Sequence, residues 1–322
     1  MNPLVSVIMP VYNAEARIEG TVHSLQRQTY HPFELILIDD GSTDRTGLLC
    51  DSFAEMYHNI KVLHENNEGP GKAREKGITI AKGDIIAFLD SDDYLSEETL
   101  EVVVLKMKET GSDIVQFSYK IVNSNGNVIS EHTLRECSFD SCMDSYKFFI
   151  SQDNCTNYLW NKVFKSSMFH DVKWPKIFYS EDYVVLAQLY AKASKIVTIK
   201  KNLYYYVQHD ENAVNKPFSE RKMDQIVAGK YVVEFTRNNY PDFLPESLYY
   251  LATRSARLSE SIKQSNLENK HELYNTTVQT FRSAYSEMKQ VLKKQKRSIK
   301  LDKMTKIFAF SPTLALCLKK FL

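Results

Sequence analysis

Four short apolar runs, LVSVIM at 4–9, ELILID at 34–39, IKVLH at 60–64 and DIIAFL at 84–89, are spaced by segments of a different period. They are rich in Ile, Leu and Val and do not alternate with polar residues, as strands covered on both faces do. The intervening segments read as helices. Ile18, Val22 and Leu25 recur at spacings of four and three, and Asp44 stands where an N-cap would precede RTGLLCDSFAEMY. A β-α-β-α-β order predicts an α/β fold with a mostly parallel, helix-covered sheet, whose ligand crevice lies at the carboxyl ends of the strands. The polar clusters PVYN, DDGSTD and DSDD each follow one of these runs.

The last cluster poses the chemical question. Asp90, Asp92 and Asp93 fall within four positions, and like charges so close raise one another's energy unless a cation or several donors lie between them. The first run is followed by Pro10, Val11, Tyr12 and Asn13, so neither a dinucleotide fingerprint nor a P-loop is present. If phosphates bind, a Mg²⁺ or Mn²⁺ ion held by the carboxylates would neutralise them. An EF-hand register fails because Leu95 stands where the loop requires glycine. Two rival readings use the same residues. A metal-dependent phosphatase or phosphotransferase would take Asp90 as nucleophile and Asp92 as acid, although such pairs usually follow the first strand; a non-catalytic sugar-nucleotide-binding subunit would need no base.

Composition bounds the rest. With 322 residues, 43% hydrophobic and 12% aromatic, the chain can bury a sizeable core. The formal charge of +1 hides an asymmetry, because residues 289–322 hold ten Lys/Arg and one acid. Five cysteines without a CxxC spacing point to a reducing compartment, with neither disulfide framework nor zinc site. No signal peptide or membrane-spanning helix is expected, since Pro10 breaks the first apolar run and no stretch of 18 apolar residues occurs. Beyond residue 215 the pattern turns helical. Tyr274, Val278, Phe281, Tyr285, Met288 and Leu292 form one apolar face that packs on the body. The basic KKQKRSIK and the apolar segment after it admit two accounts. One is a docked terminal helix. The other is peripheral contact with an anionic membrane, with Ile307, Phe308, Phe310, Leu314, Leu316, Leu318 and Phe321 inserting and Pro312 breaking the segment. No nucleic-acid partner is expected.

VSVIMPVYNAEARIEGTVHSLQRQTY, ELILIDDGSTDRT, NNEGPGKAREKGI and GDIIAFLDSDDYL, in this order, resemble the nucleotide-sugar domain of family 2 glycosyltransferases, inverting enzymes of the GT-A fold. The resemblance continues through LWNKVFKSSMF and FYSEDYVVLAQLYAKASKIVTI, which are similar to bacterial polysaccharide and teichoic-acid transferases. It implies a GT-A catalytic domain at 1–215, with a Rossmann-like nucleotide-sugar half at 1–110 and an acceptor half at 111–215, followed by a helical region at 216–322. It further implies an enzyme that moves a hexosyl or N-acetylhexosaminyl group from a UDP-sugar to a glycan or lipid-linked glycan; the cysteines and the basic tail point to the cytoplasm, with the tail either docked on the body or peripheral on the inner face of the membrane. Pro10 and Tyr12 would line the base and Asp39 would accept from the uracil ring. Gly69 and Arg74 would lie near base and diphosphate, Asp90 would touch the ribose or sugar, and Asp93 would face a loop amide or the sugar hydroxyls. Asp92 would ligate the metal, joined by His209, which otherwise reads as a surface histidine. Asp182 would be the base and Glu181 its partner, while Trp160 reads as core or as lining for the acceptor sugar. Pro70 and Glu75 depart from the family's usual pattern.

Overall fold

The computed structural model describes residues 2–209 and 217–312. The expected break at 215 and the apolar residues Leu314, Leu316, Leu318 and Phe321 lie outside them. The chain forms two compact units, Met1–Lys176 with Gln188–Asn212, and Ile177–Ala187 with Ala213–Leu322.

The first unit opens with β1 (Val5–Val11), α1 (Ile18–Gln26), β2 (Phe33–Asp39), α2 (Thr46–Met56), β3 (Ile60–His64), α3 (Pro70–Ile80) and β4 (Ile85–Phe88). These four strands are the four apolar runs, and they pair in parallel in the order β3-β2-β1-β4. Every residue of β2 is buried, which is why its sequence shows no alternation. Pro10 lies beyond the last β1–β4 pair, Ile8 with Phe88. Ile8 O accepts from Leu89 N and Val11 O from Asp40 N, so alternation turns Pro10 toward the side where β4 has already ended, and its missing N–H interrupts no ladder. At α2 the cap position belongs to Arg45 and not to Asp44. The Asp44 carboxylate still accepts from Thr46 N at 3.0 Å, one residue early.

The sheet then turns mixed. After β5 (Tyr94–Leu95) and α4 (Thr99–Thr110) come β6 (Ile114–Asn123), β7 (Val128–His132), β8 (Ser138–Phe139), α5 (Cys142–Ser151) and β9 (Lys162–Lys165). The unit closes with α6 (Glu181–Lys192), which begins in residues of the second unit, and β10 (Ile196–Gln208). Among the described residues one sheet runs β3-β2-β1-β4-β9-β6-β10-β5, with β7 on β6 and β8 on β10. β9 lies antiparallel between β4 and β6, and β5 is antiparallel to β10 through Tyr94 and Leu95.

The second unit carries α7 (Asp224–Asn239), α8 (Leu244–Lys263), α9 (Lys270–Gln295) and α10 (Lys303–Phe310). Val278, Phe281 and Met288 of the predicted stripe are buried with Leu248, Leu251 and Ile262 of α8. Phe308, expected at a membrane, is 2% exposed and meets Phe281 edge-on at 4.7 Å. Burial in the helical core removes it from any lipid contact, whereas Phe310 is 86% exposed. No helix among the described residues is long and apolar enough to cross a membrane.

Candidate active site

The carboxyl ends of β1 and β2 are stapled together by short polar side chains. Asn13 adopts the left-handed conformation, its Oδ1 accepts from Thr43 N at 2.8 Å, and its own N–H donates to Ser42 Oγ at 3.0 Å. Asp39, the last residue of β2, is buried. Its Oδ1 accepts from Ser42 N at 3.0 Å and its Oδ2 meets His64 Nδ1 at 2.8 Å. Burial alone would raise this carboxyl, but the contacts with Ser42 and His64 outweigh it and hold the group below its ordinary value. Asp40 clasps a different segment, accepting from Glu68 N and Gly69 N, both at 2.9 Å. Gly69 has φ +93° where the chain enters α3, a conformation glycine tolerates and other residues resist. One turn into that helix, Arg74 is 5% exposed and its Nη2 donates to Asp90 Oδ1 at 2.8 Å. Tyr12 is exposed and Pro10 half-buried at the end of β1.

The three aspartates after β4 are not equivalent. Asp93 is 1% exposed; its Oδ2 accepts from Tyr204 Oη at 2.6 Å and its Oδ1 from Val207 N at 2.7 Å, so both oxygens are committed to β10. Of the two expectations for it, a backbone amide or the sugar hydroxyls, the structure shows an amide, that of Val207, together with the Tyr204 hydroxyl, and the side chain braces the loop. Burial, then Asp92 and Asp90, push its carboxyl well above the usual carboxylate range. Asp90 and Asp92 have side chains 28% and 27% exposed, and these are the carboxylates a ligand can reach. Asp92 Oδ2 lies 2.8 Å from His209 Nε2, and its carboxyl is raised by burial and by Asp90 while His209 opposes the rise.

Can this set hold a divalent ion? Two partly exposed carboxylates and an imidazole offer hard oxygen donors with one nitrogen, and the crowded charge of Asp90 and Asp92 would be relieved by a cation. Among the described residues no group of three His, Cys, Asp or Glu side chains is placed to hold a metal ion by itself. An ion bound here would have to take its remaining ligands from water and phosphate oxygens, as Mg²⁺ and Mn²⁺ do.

Trp160 belongs to the frame. It is 5% exposed and stacks on Tyr204 at 4.3 Å and Tyr158 at 4.8 Å, with Tyr119 edge-on at 4.7 Å. The same Tyr204 hydroxyl accepts from Asp90 N at 3.3 Å. The stack therefore stiffens the residue that holds the aspartate loop. Glu181 and Asp182 open α6 in the second unit, where acids favour the helix dipole; Glu181 is buried and Asp182 half-buried. His64, Asp40 and Tyr204 were not foreseen as site residues. His64 stands beside Asp39 through strand register, which the sequence around it does not mark.

The model of the family described as Glycosyl transferase family 2 matches residues 6–186. The chain is similar to the glycosyltransferase GlyG of Streptococcus pneumoniae serotype 4, 31% identical over 229 residues, 68% of this chain and 75% of GlyG. It is also similar to the poly(ribitol-phosphate) beta-glucosyltransferase of Bacillus spizizenii, 33% identical over 214 residues, 64% of this chain and 32% of that enzyme. The crystal structure of S. aureus TarS 1-349 in complex with UDP-GlcNAc shares the fold, with a TM-score of 0.73 at 19% identity over 98% of this chain and 91% of that one. Since the family match runs from the first strand past Asp182 and takes in more than half of the sequence, the chain belongs to glycosyl transferase family 2 and is a glycosyltransferase.

Proposed function

We propose that the protein is a metal-dependent, inverting enzyme that moves a hexosyl or N-acetylhexosaminyl group from a UDP-sugar to a glycan or lipid-linked glycan acceptor in cell-surface polysaccharide synthesis. The observation that carries this reading is the pair Asp90 and Asp92 at the end of β4, flanked by the Arg74 guanidinium and the His209 imidazole. The relatives support donor and acceptor class. One is named for glucosyl transfer to poly(ribitol-phosphate), and TarS was solved with UDP-GlcNAc.

In this reading Asp39 accepts a ring N–H of the uracil, and the exposed end of β1 at Pro10 and Tyr12 lines the base. Arg74 steers the diphosphate toward Asp90 by charge. Asp92 and His209 would hold Mn²⁺ or Mg²⁺, which supplies Lewis-acid stabilisation of the leaving diphosphate. The acceptor hydroxyl attacks the anomeric carbon on the face opposite the diphosphate. A carbon–oxygen bond forms there as the bond to UDP breaks, and the hydroxyl proton passes to Asp182, with Glu181 as its partner. Only one protein carboxylate is needed, in contrast with glycosidases, where a second serves the leaving group. The assignment of Asp182 rests on the family match that includes it.

Incubation with radiolabelled UDP-sugars tests the reading. Labelled glycan should form with Mn²⁺ and cease with EDTA. Release of inorganic phosphate without glycan would favour a phosphatase, and binding without turnover a carrier subunit. For location, we propose peripheral contact with an anionic membrane on its cytoplasmic face, supported by exposed Phe310 and by Lys293, Lys294 and Lys296. Sedimentation with anionic vesicles at low salt, weakened at high salt, is the expected outcome.

A further inference from the structure

The imidazole of His64 lies between two carboxylates from different elements. Nδ1 meets Asp39 Oδ2 of β2 at 2.8 Å, and Nε2 meets Asp51 Oδ1 of α2 at 3.0 Å. Asp39 and His64 are register partners at the ends of parallel strands, so the backbone itself sets this meeting. A Cβ at Gly47, in the first turn of α2, would come within 3.0 Å of Asp39 Oδ2 and 3.6 Å of His64 Cε1. The absence of a side chain at position 47 leaves room for this close approach. The burial gradient runs one way across the array, from Asp39 at 7% side-chain exposure to His64 at 48% and Asp51 at 55%.

We infer that His64 is a positioning residue for nucleotide recognition: with Asp51 behind it, it fixes the plane of the Asp39 carboxylate, so that Asp39 selects a base carrying a ring N–H donor. This rests on the reading that Asp39 meets the base. A carboxylate held by Ser42 N on one oxygen and by an imidazole N–H on the other cannot rotate, and its remaining lone pairs keep one direction. The chemical consequence is a choice between pyrimidines. Uracil offers N3–H to such an acceptor; cytosine presents a lone pair at the same place and is repelled. The charges around His64 favour this role. Asp39 and Asp51 hold it above the usual histidine range, and the neighbouring Cys50 thiol, buried and facing both carboxylates, is pushed up to about 12 and stays neutral. When one ring proton is lost, the better-buried Asp39 has the stronger claim on the one that remains.

The experiment is calorimetric binding of UDP and CDP to the full chain with Mn²⁺, for wild type, His64→Ala, His64→Asn, Asp51→Asn and Asp39→Asn. The asparagine amide can place a donor near the position of Nδ1. His64→Ala should weaken UDP roughly tenfold, the scale of one hydrogen bond to a charged group, and leave CDP unchanged. His64→Asn should recover most of the loss, and Asp51→Asn should weaken UDP about two- to threefold. Donor KM should rise in His64→Ala while kcat at saturating donor stays near wild type. UDP affinity unaltered in His64→Ala, or loss not recovered by His64→Asn, overturns the inference. If Asp39→Asn weakens UDP and His64→Ala does not, the inference alone falls. If Asp39→Asn binds UDP as wild type does, or wild type does not prefer UDP to CDP, the base-contact reading falls with it.

Discussion

Asp39 and Asp93 are both buried acids at strand ends of one sheet, 5% and 1% exposed, and both accept two hydrogen bonds through their carboxylates. Their charge states are driven in opposite directions. Asp39 is lowered because an imidazole and a serine face it, whereas Asp93 is raised because burial is reinforced by Asp92 and Asp90. Burial pushes both carboxyls up; at Asp39 the hydrogen bonds from Ser42 and His64 outweigh it, and at Asp93 the charges of Asp92 and Asp90 add to it. One cluster pairs a carboxylate with an imidazole, and the proposed function assigns an N–H donor to it. The other gathers three carboxylates, and the proposed function assigns a cation to it.

The largest effect is expected outside both clusters. Asp182→Asn should lower transfer roughly 10²- to 10⁴-fold while calorimetry finds UDP and Mn²⁺ bound as before. Lost UDP binding would assign Asp182 to the donor and break the separation of donor sites from chemistry. Asp92→Asn comes next. Turnover should fall roughly 10²- to 10³-fold with the melting temperature held, since removing one of several crowded charges does not cost the fold. Full activity with Mn²⁺ would deny the second cluster its cation.

Asp93 distinguishes a brace from a ligand. Asp93→Ala leaves Tyr204 Oη and Val207 N without their buried partner and should cost about 1–3 kcal/mol for each in urea denaturation. Asp93→Asn should cost much less, because a carboxyl raised this far resembles the amide. The smallest effect lies in pH dependence. Asp39, lowered, contributes stability above its unfolded pKa of about 3.9, and that contribution is lost as pH falls through its folded value. Asp93, raised, contributes fully below about 3.9, and the contribution is lost as pH rises through its folded value. Urea midpoints from acid to neutral pH should thus show Asp39→Asn falling behind wild type as pH rises, and Asp93→Asn gaining on it. Parallel curves would erase the contrast between the clusters.

How much of this could be read in advance depended on the range of the interactions. β3 matches IKVLH to the residue and β2 differs from ELILID by one, because strands covered on both faces declare themselves through continuous apolar sequence. β10 was harder to read: its thirteen residues contain Lys200, Lys201 and Asn202, and its register with β6 shifts on both sides of Asn202. The antiparallel entry of β9 between β4 and β6 depends on partners distant in sequence. In the site, Asp39, Asp90 and Asp92 were legible as acids following apolar runs. His64 was not, because a histidine ending a strand has no local mark, and only strand register sets it beside Asp39. For Asp93 an amide partner could be expected but not its identity, because Tyr204 and Val207 of β10 are far away in sequence.

The hydrogen bond from Val207 N to Asp93 joins residues 114 apart, while His64 reaches Asp39 across 25. A ribosome adding roughly 5–20 residues per second exposes the two partners of the shorter pair about 1–5 s apart, and those of the longer pair about 6–23 s apart. During that interval the nascent chain can assemble its β1–β3 end, but the aspartate loop has not yet received its last tether. Under the proposed function, a chain interrupted before β10 would therefore carry the cluster assigned to the base while the loop assigned to metal and diphosphate still lacked its last tether.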